Sequence, residues 1–117
     1  MRLLSEMLPA FYKELEVALR EQQLVALSEQ LPSLTVESWA HDADVEGLDI
    51  SIGGTRPLNV VEKNIIGLRH GESIGVDGCE GMVVIDTDNF GRIESIEVIG
   101  RPDISNALKK IREHEGK

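Results

Sequence analysis

Apolar and polar positions alternate in two different rhythms along this chain. Over the first thirty residues, Leu8, Phe11, Leu15, Ala18 and Leu19 recur at three- and four-residue steps, one apolar stripe of an amphipathic helix. Leu24, Leu27 and Leu31 continue the pattern on a rotated face. That change of phase predicts either one helix bent near Gln22–Gln23 or two helices in succession. Pro9 suits a first helical turn, where its missing N–H is not needed, and Pro32 supplies a stop.

From residue 34 the period becomes two. In LTVESWA, strict alternation puts Leu34, Val36 and Ser38 on one side and Thr35, Glu37 and Trp39 on the other. In GLDISIGG, Leu48, Ile50 and Ile52 alternate with Asp49 and Ser51, a half-buried strand ending at a Gly53–Gly54 turn. LNVVEK and NIIGLR are weaker strand candidates, and GESIGVDGCEG, with four glycines and three acids, reads as a mobile loop. GMVVIDT and RIESIEVIG flank DNFG, the pattern of a β-hairpin, in which Gly91 supplies the positive φ of the turn. Asp103 or Ser105 then caps a short helix carrying Ile104, Leu108 and Ile111 on one face. Its late Lys109, Lys110 and Arg112 complement the helix dipole.

The expected fold class is therefore α+β. It has an N-terminal helix or helical hairpin over 1–31, an antiparallel sheet of four or five strands over 34–100, and a short C-terminal helix over 103–114. Tight turns make the sheet antiparallel, and terminal helices cover one of its faces. A chain of 117 residues suits a single domain, residues 1–117.

Composition narrows the function classes. Hydrophobic residues make up 41% and aromatics are only Phe11, Tyr12, Trp39 and Phe90, so the core is aliphatic and a base-stacking platform is lacking. One cysteine, Cys79, excludes an internal disulfide and a cysteine-based zinc cluster. The first residues, MRLLSEMLPAF, lack the apolar run and cleavage site of a signal peptide, and no stretch approaches the ~18 apolar residues of a membrane span. A cytoplasmic protein, off the membrane, is the expectation.

The net charge of −9 is unevenly spread. Residues 32–100 hold four basic and thirteen acidic side chains, whereas residues 101–117 hold five basic and three acidic. The acidic middle disfavours nucleic acid and suits a basic protein partner, or a merely solvated surface.

Three groups invite chemistry. Asp86, Asp88, Gly91, Ile93 and Glu97 fall at positions 1, 3, 6, 8 and 12 of a calcium-binding EF-hand loop. However, Phe90 replaces the position-5 oxygen ligand and the flanks read as strands, so the turn reading is preferred: Asp88 and Asn89 shape it and Glu97 is solvated. HDADVEGLD gathers His41, Asp42, Asp44, Glu46 and Asp49, suited to a divalent ion or an acid/base pair, but also to an ordinary polar connection between strands. Cys79 with His70 or His41 is a conceivable nucleophile and base without characteristic spacing, and a free cysteine is usually a small buried hydrophobe. No phosphate-binding glycine loop is present. Trp39 packs under a terminal helix or anchors a partner.

The run His41–Ile52, HDADVEGLDISI, resembles the opening of a small bacterial family, domain-of-unknown-function family 2283, through Asp42, Leu48 and Ile50. His41, Glu46 and Asp49 stand where that family has Tyr, Asp and Tyr. GMVVIDTDNFGRIESIEVIG is similar to its closing hairpin through Asp86, Asp88, Gly91, Arg92, Ile96, Glu97 and Val98. The likeness spans about residues 35–100 and leaves the N-terminal helices and an insertion at 67–79 outside it. It implies a small sheet-based fold, small partner proteins, no established activity and no functional residues to transfer.

Taken together, the sequence points to a non-catalytic, cofactor-free protein–protein interaction module, regulatory or toxin-neutralising in one instance. A homodimer is expected if residues 1–31 form one helix of about 45 Å, too long for a small sheet to cover. The alternative is a metal- or small-ligand-binding protein using Asp42, Asp44, Asp86 and Asp88, should the first loop and the hairpin turn share one end of the sheet.

Overall fold

The computed structural model describes residues 2–42, 47–53, 73–88 and 91–115. The two weaker strand candidates, LNVVEK and NIIGLR, lie outside them. The helical segment is not one rod. A short strand β1 (Arg2–Leu3) leads into α1 (Leu4–Met7), α2 (Pro9–Glu21) and α3 (Val25–Ser28), and a 3-10 turn (Leu31–Ser33) ends the segment.

The physical reasons for the breaks are local. Pro9 lacks the N–H needed to continue from α1 and opens α2 instead. At the other end Gln23 adopts φ 62°, and its N–H donates to the Arg20 carbonyl while the Leu24 N–H donates to that of Leu19. This is the Schellman ending, with glutamine in the left-handed position that glycine usually fills. Left-handed backbone costs a non-glycine residue ~1–2 kcal/mol. Gln23→Gly is therefore expected to stabilise the protein by about 1 kcal/mol, raising the melting temperature by a few degrees. An unchanged or lowered melting temperature would contradict that assignment of strain.

Folding back places Leu4, Leu8, Phe11, Leu15, Leu19, Leu27 and Leu31 in one core. The apolar stripe is thus satisfied within the chain, and the long-helix ground for a homodimer falls away.

The sheet has six strands among the described residues, two of them short, instead of the four or five expected. In spatial order they are β1, β2 (Thr35–Asp42), β3 (Gly47–Gly53), β6 (Ile93–Ile99), β5 (Met82–Thr87) and β4 (Ser73–Val76). Every pairing is antiparallel. Strand β4 falls in the stretch expected to be a mobile loop. Ile74 and Val76 turn inward there, but Gly75 between them hides the alternation. A helix α4 (Pro102–Glu115) follows, begun by Pro102 one residue before the expected start.

Register explains how one face becomes the core. Trp39, Ile50, Ile96, Ile85 and Ile74 stand side by side across β2, β3, β6, β5 and β4. Leu48, Val98, Val83 and Val76 form the next row. The helices cover this face, and Ile104 and Leu108 of α4 join its core. Two bulges keep the face apolar. One lies between Val36 and Ser38, the other between Asp86 and Thr87 against β6. An extra residue reverses the alternation. The strict period of two put Trp39 opposite Val36; the bulge at Glu37 brings both inward and leaves Ser38 exposed.

Candidate functional site

The same register that buries one face leaves the other without a covering element among the described residues. Asp49, Glu97 and Val84 lie in one row across β3, β6 and β5. Ser51, Ser95, Asp86 and Ser73 lie in the row beside it. Asp86 accepts hydrogen bonds from the Ser95 hydroxyl at 3.0 Å and from the Ser73 hydroxyl. The nearby Asp86 charge pushes the Glu97 carboxyl above its ordinary range, with burial, the Asp49 charge and a hydrogen bond to Asp86 adding to it. Because Glu97 is raised in the folded state, its contribution to stability is present at low pH and is lost as pH rises through the folded value. The face also carries exposed Met82.

The sequence singled out Asp86 and Glu97 as the ends of an EF-hand loop. The structure makes them neighbours on adjacent strands of a hairpin. Asp86 is a strand residue, and Glu97 is exposed, as expected, with its carboxyl under the influence of the Asp86 charge. Asp88 does shape the turn: its N–H donates to the Arg92 carbonyl, its carboxylate accepts the Arg92 N–H at 3.0 Å and pairs with the Arg92 side chain at 2.6 Å. Gly91 has φ 79°.

Of the quartet Asp42, Asp44, Asp86 and Asp88, the structure does not bring Asp42 together with Asp86 and Asp88. Asp42 pairs with Gly47, Gly47 with Ile99 and Ile99 with Met82, which fixes one end of the sheet. The Asp88–Arg92 turn follows Thr87 and Ile93 at the other end, six residues or about 20 Å away. Asp44 and Glu46 lie outside the described residues. Among those described, no three His, Cys, Asp or Glu side chains gather as metal ligands.

Cys79 is part of a buttress. Glu14 of α2 accepts the Glu80 N–H at 3.0 Å and pairs with Arg101 at 2.7 Å. Burial first, then the Glu14 charge and a hydrogen bond to Glu14, push the Cys79 thiol up to about 11. His41 stands on β2, four strands from β4 and hence about 19 Å across the sheet, while His70 lies outside the described residues. His41 is thus no base for Cys79. With so little thiolate, Cys79 is expected to react with iodoacetamide at pH 8 about two orders of magnitude more slowly than an ordinary cysteine. Glu14→Gln should speed the reaction; alkylation at the rate of a free thiol would refute the assignment.

Trp39 is half-buried against the core, and the Arg112 guanidinium of α4 lies 4.7 Å from its ring centroid. Trp39 thus packs beside the terminal helix α4, the first of its two expected roles, and a groove of about 840 Å³ opens between this part of β2 and α4. His41, Lys109 and Arg112 line it. Sequence reasoning missed this convergence, since α4 meets β2 only in the fold.

No helix among the described residues is long and apolar enough to cross a membrane. Comparison with protein-family models, with curated proteins and with solved structures returns no match for this chain.

Proposed function

We propose that this chain is a non-catalytic, cytoplasmic protein–protein interaction module that offers its open sheet face to a basic partner. The observation that carries the reading is the crowding of Asp49, Asp86 and Glu97 on neighbouring strands, with Glu97 raised by its neighbours. A Lys- or Arg-bearing surface relieves that repulsion and finds exposed Met82 beside it. A regulatory or toxin-neutralising role against a basic protein is one instance. The resemblance to family 2283 agrees with it: its opening run includes β3, and its closing hairpin corresponds to β5 and β6. A homodimer through this face is disfavoured at neutral pH, because two copies would set like carboxylates against each other.

The test is affinity capture from lysate with wild type beside the Asp49→Asn/Glu97→Gln variant, at 50 and 300 mM salt. The expected result is a stoichiometric basic protein retained by wild type at low salt, and lost both from the variant and at high salt. Capture of a partner equally by both baits would refute the acidic face as the binding surface.

A further inference from the structure

A second surface, distinct from the acidic face, lies along β2. Strand β1 covers β2 only at Thr35 and Val36. Beyond the bulge at Glu37, residues 38–42 form the border of the sheet, and no described strand pairs with that side. An unpaired strand edge presents a row of backbone donors and acceptors that another extended chain can join. Natural edges are blunted by bulges, prolines, charged side chains or short length. Here the bulge protects one end of β2, and SWAHD beyond it contains neither proline, lysine nor arginine, its one charged residue being Asp42 at the far end.

The groove opens beside this stretch of β2, between it and α4. Trp39, Ala40 and His41 of β2 line it, together with Leu48 of β3, the register partner of His41. Its far wall is a single stripe of α4, Pro102, Ser105, Asn106, Lys109 and Arg112, at helical spacing. An edge strand beside a helix, with a cleft between, is the arrangement that accepts an added peptide strand.

Charge selects the occupant. In a chain of net charge −9, this cleft collects Lys109 and Arg112 against Glu113. Among the described residues neither Lys109 nor Arg112 forms an ion pair. Arg112 instead lies over Trp39 and donates to the Trp39 carbonyl at a long 3.4 Å. Acidic side chains on an incoming strand would find both cations available, and its apolar residues would meet Trp39 and Leu48.

We infer that the cleft between β2 and α4 binds an extended acidic peptide of a partner protein by strand addition to the edge of β2 that no described strand pairs. Trp39, the only tryptophan, sits in the cleft, so its fluorescence reports occupancy directly.

The experiment titrates full-length protein with three capped octapeptides at 50 mM salt: alternating Glu and Val, the same peptide N-methylated at every residue, and alternating Lys and Val. Citrate serves as a small-anion control. The expected result is a saturable change in Trp39 fluorescence with the Glu–Val peptide alone. It should weaken about tenfold in Lys109→Glu, whose exposed side chain has no structural partner among the described residues, and more in Lys109→Glu/Arg112→Glu. Circular dichroism of each variant confirms that it is folded. No saturable response to the Glu–Val peptide at millimolar concentration overturns the inference. So does equal binding of the N-methylated peptide, which keeps the charge but cannot pair with a strand, or an equal response to citrate. The acidic face takes no part in this assay, so either proposal can fail without the other.

Discussion

Replacing Gln30 by leucine is expected to destabilise the protein by about 3 kcal/mol, although the new side chain is apolar and of similar size. Gln30 is 1% exposed, and its amide does the work of a strand. Its Nε2 donates to the Gly91 carbonyl at 3.1 Å, and its Oε1 accepts the Ile93 N–H at 3.1 Å. These groups lie where the hairpin turn enters β6, so the side chain ties the end of the helical segment to the start of the last strand. Leucine would leave a buried carbonyl and a buried N–H without these partners, at ~1–3 kcal/mol for each unsatisfied group. Gln30→Glu should be no better, since its carboxylate would face the Gly91 carbonyl. Urea unfolding followed by Trp39 fluorescence would show a lower midpoint at an unchanged slope. A loss below about 1 kcal/mol would mean that the two bonds add nothing beyond ordinary packing.

The second large effect is expected at Arg101. Its guanidinium is 7% exposed and uses every direction of its fork. Nε and Nη2 donate to Asp103, Nη1 and Nη2 to Glu14, and Nη1 also to the Glu80 carbonyl, while Phe11 lies 5.9 Å beneath. The residue thereby joins α2, the β4–β5 turn and the start of α4. Arg101→Met keeps some of the apolar contact but strands Glu14, at a loss of about 2–4 kcal/mol, discounted because Asp103 is 62% exposed. Arg101→Lys should recover little, because an ammonium cannot reproduce the planar fork.

Acidification gives this network a signature. Burial pushes Glu14 up, but its bonds from Arg101 and the Glu80 N–H outweigh that and leave it lowered. Asp103 is lowered chiefly by its bonds from Arg101. Carboxyls lowered in the folded state contribute stability above their unfolded value near ~4, and that contribution is lost as pH falls through the folded values. The gap between wild type and Arg101→Met should therefore be widest at pH 7 and narrow below about pH 4. A gap independent of pH would assign the effect to packing.

How far the sequence could be read follows from what each signal depends on. Amphipathic spacing, Pro9, the DNFG turn and the Ile104–Leu108–Ile111 stripe act locally, and the corresponding elements appear where expected. Strand faces were legible in β3, which keeps a strict period of two, and misread in β2, where the bulge at Glu37 reverses it. Strand β4 was hidden by glycine, and β1 is too short to leave a pattern; each exists because a neighbouring strand supplies its pairing. The acidic trio was equally out of reach, for Asp49, Asp86 and Glu97 come together only through the order β3, β6, β5. Spacing along the chain suggested an EF-hand instead. Gln30 and Arg101 gave no local hint, being ordinary polar residues until their partners, sixty or more residues away for Gln30 and eighty-seven for Glu14, close around them.

Carboxyl footprinting shows whether the open carboxylate face binds a basic partner. Free protein and the captured complex are treated with carbodiimide and an amine, and modification is quantified at each Asp and Glu by mass spectrometry. Asp49, Asp86 and Glu97 are expected to lose reactivity in the complex, while exposed Glu21 and Glu29, on the helical side, keep theirs. Unchanged labelling of all three in a stoichiometric complex would contradict it.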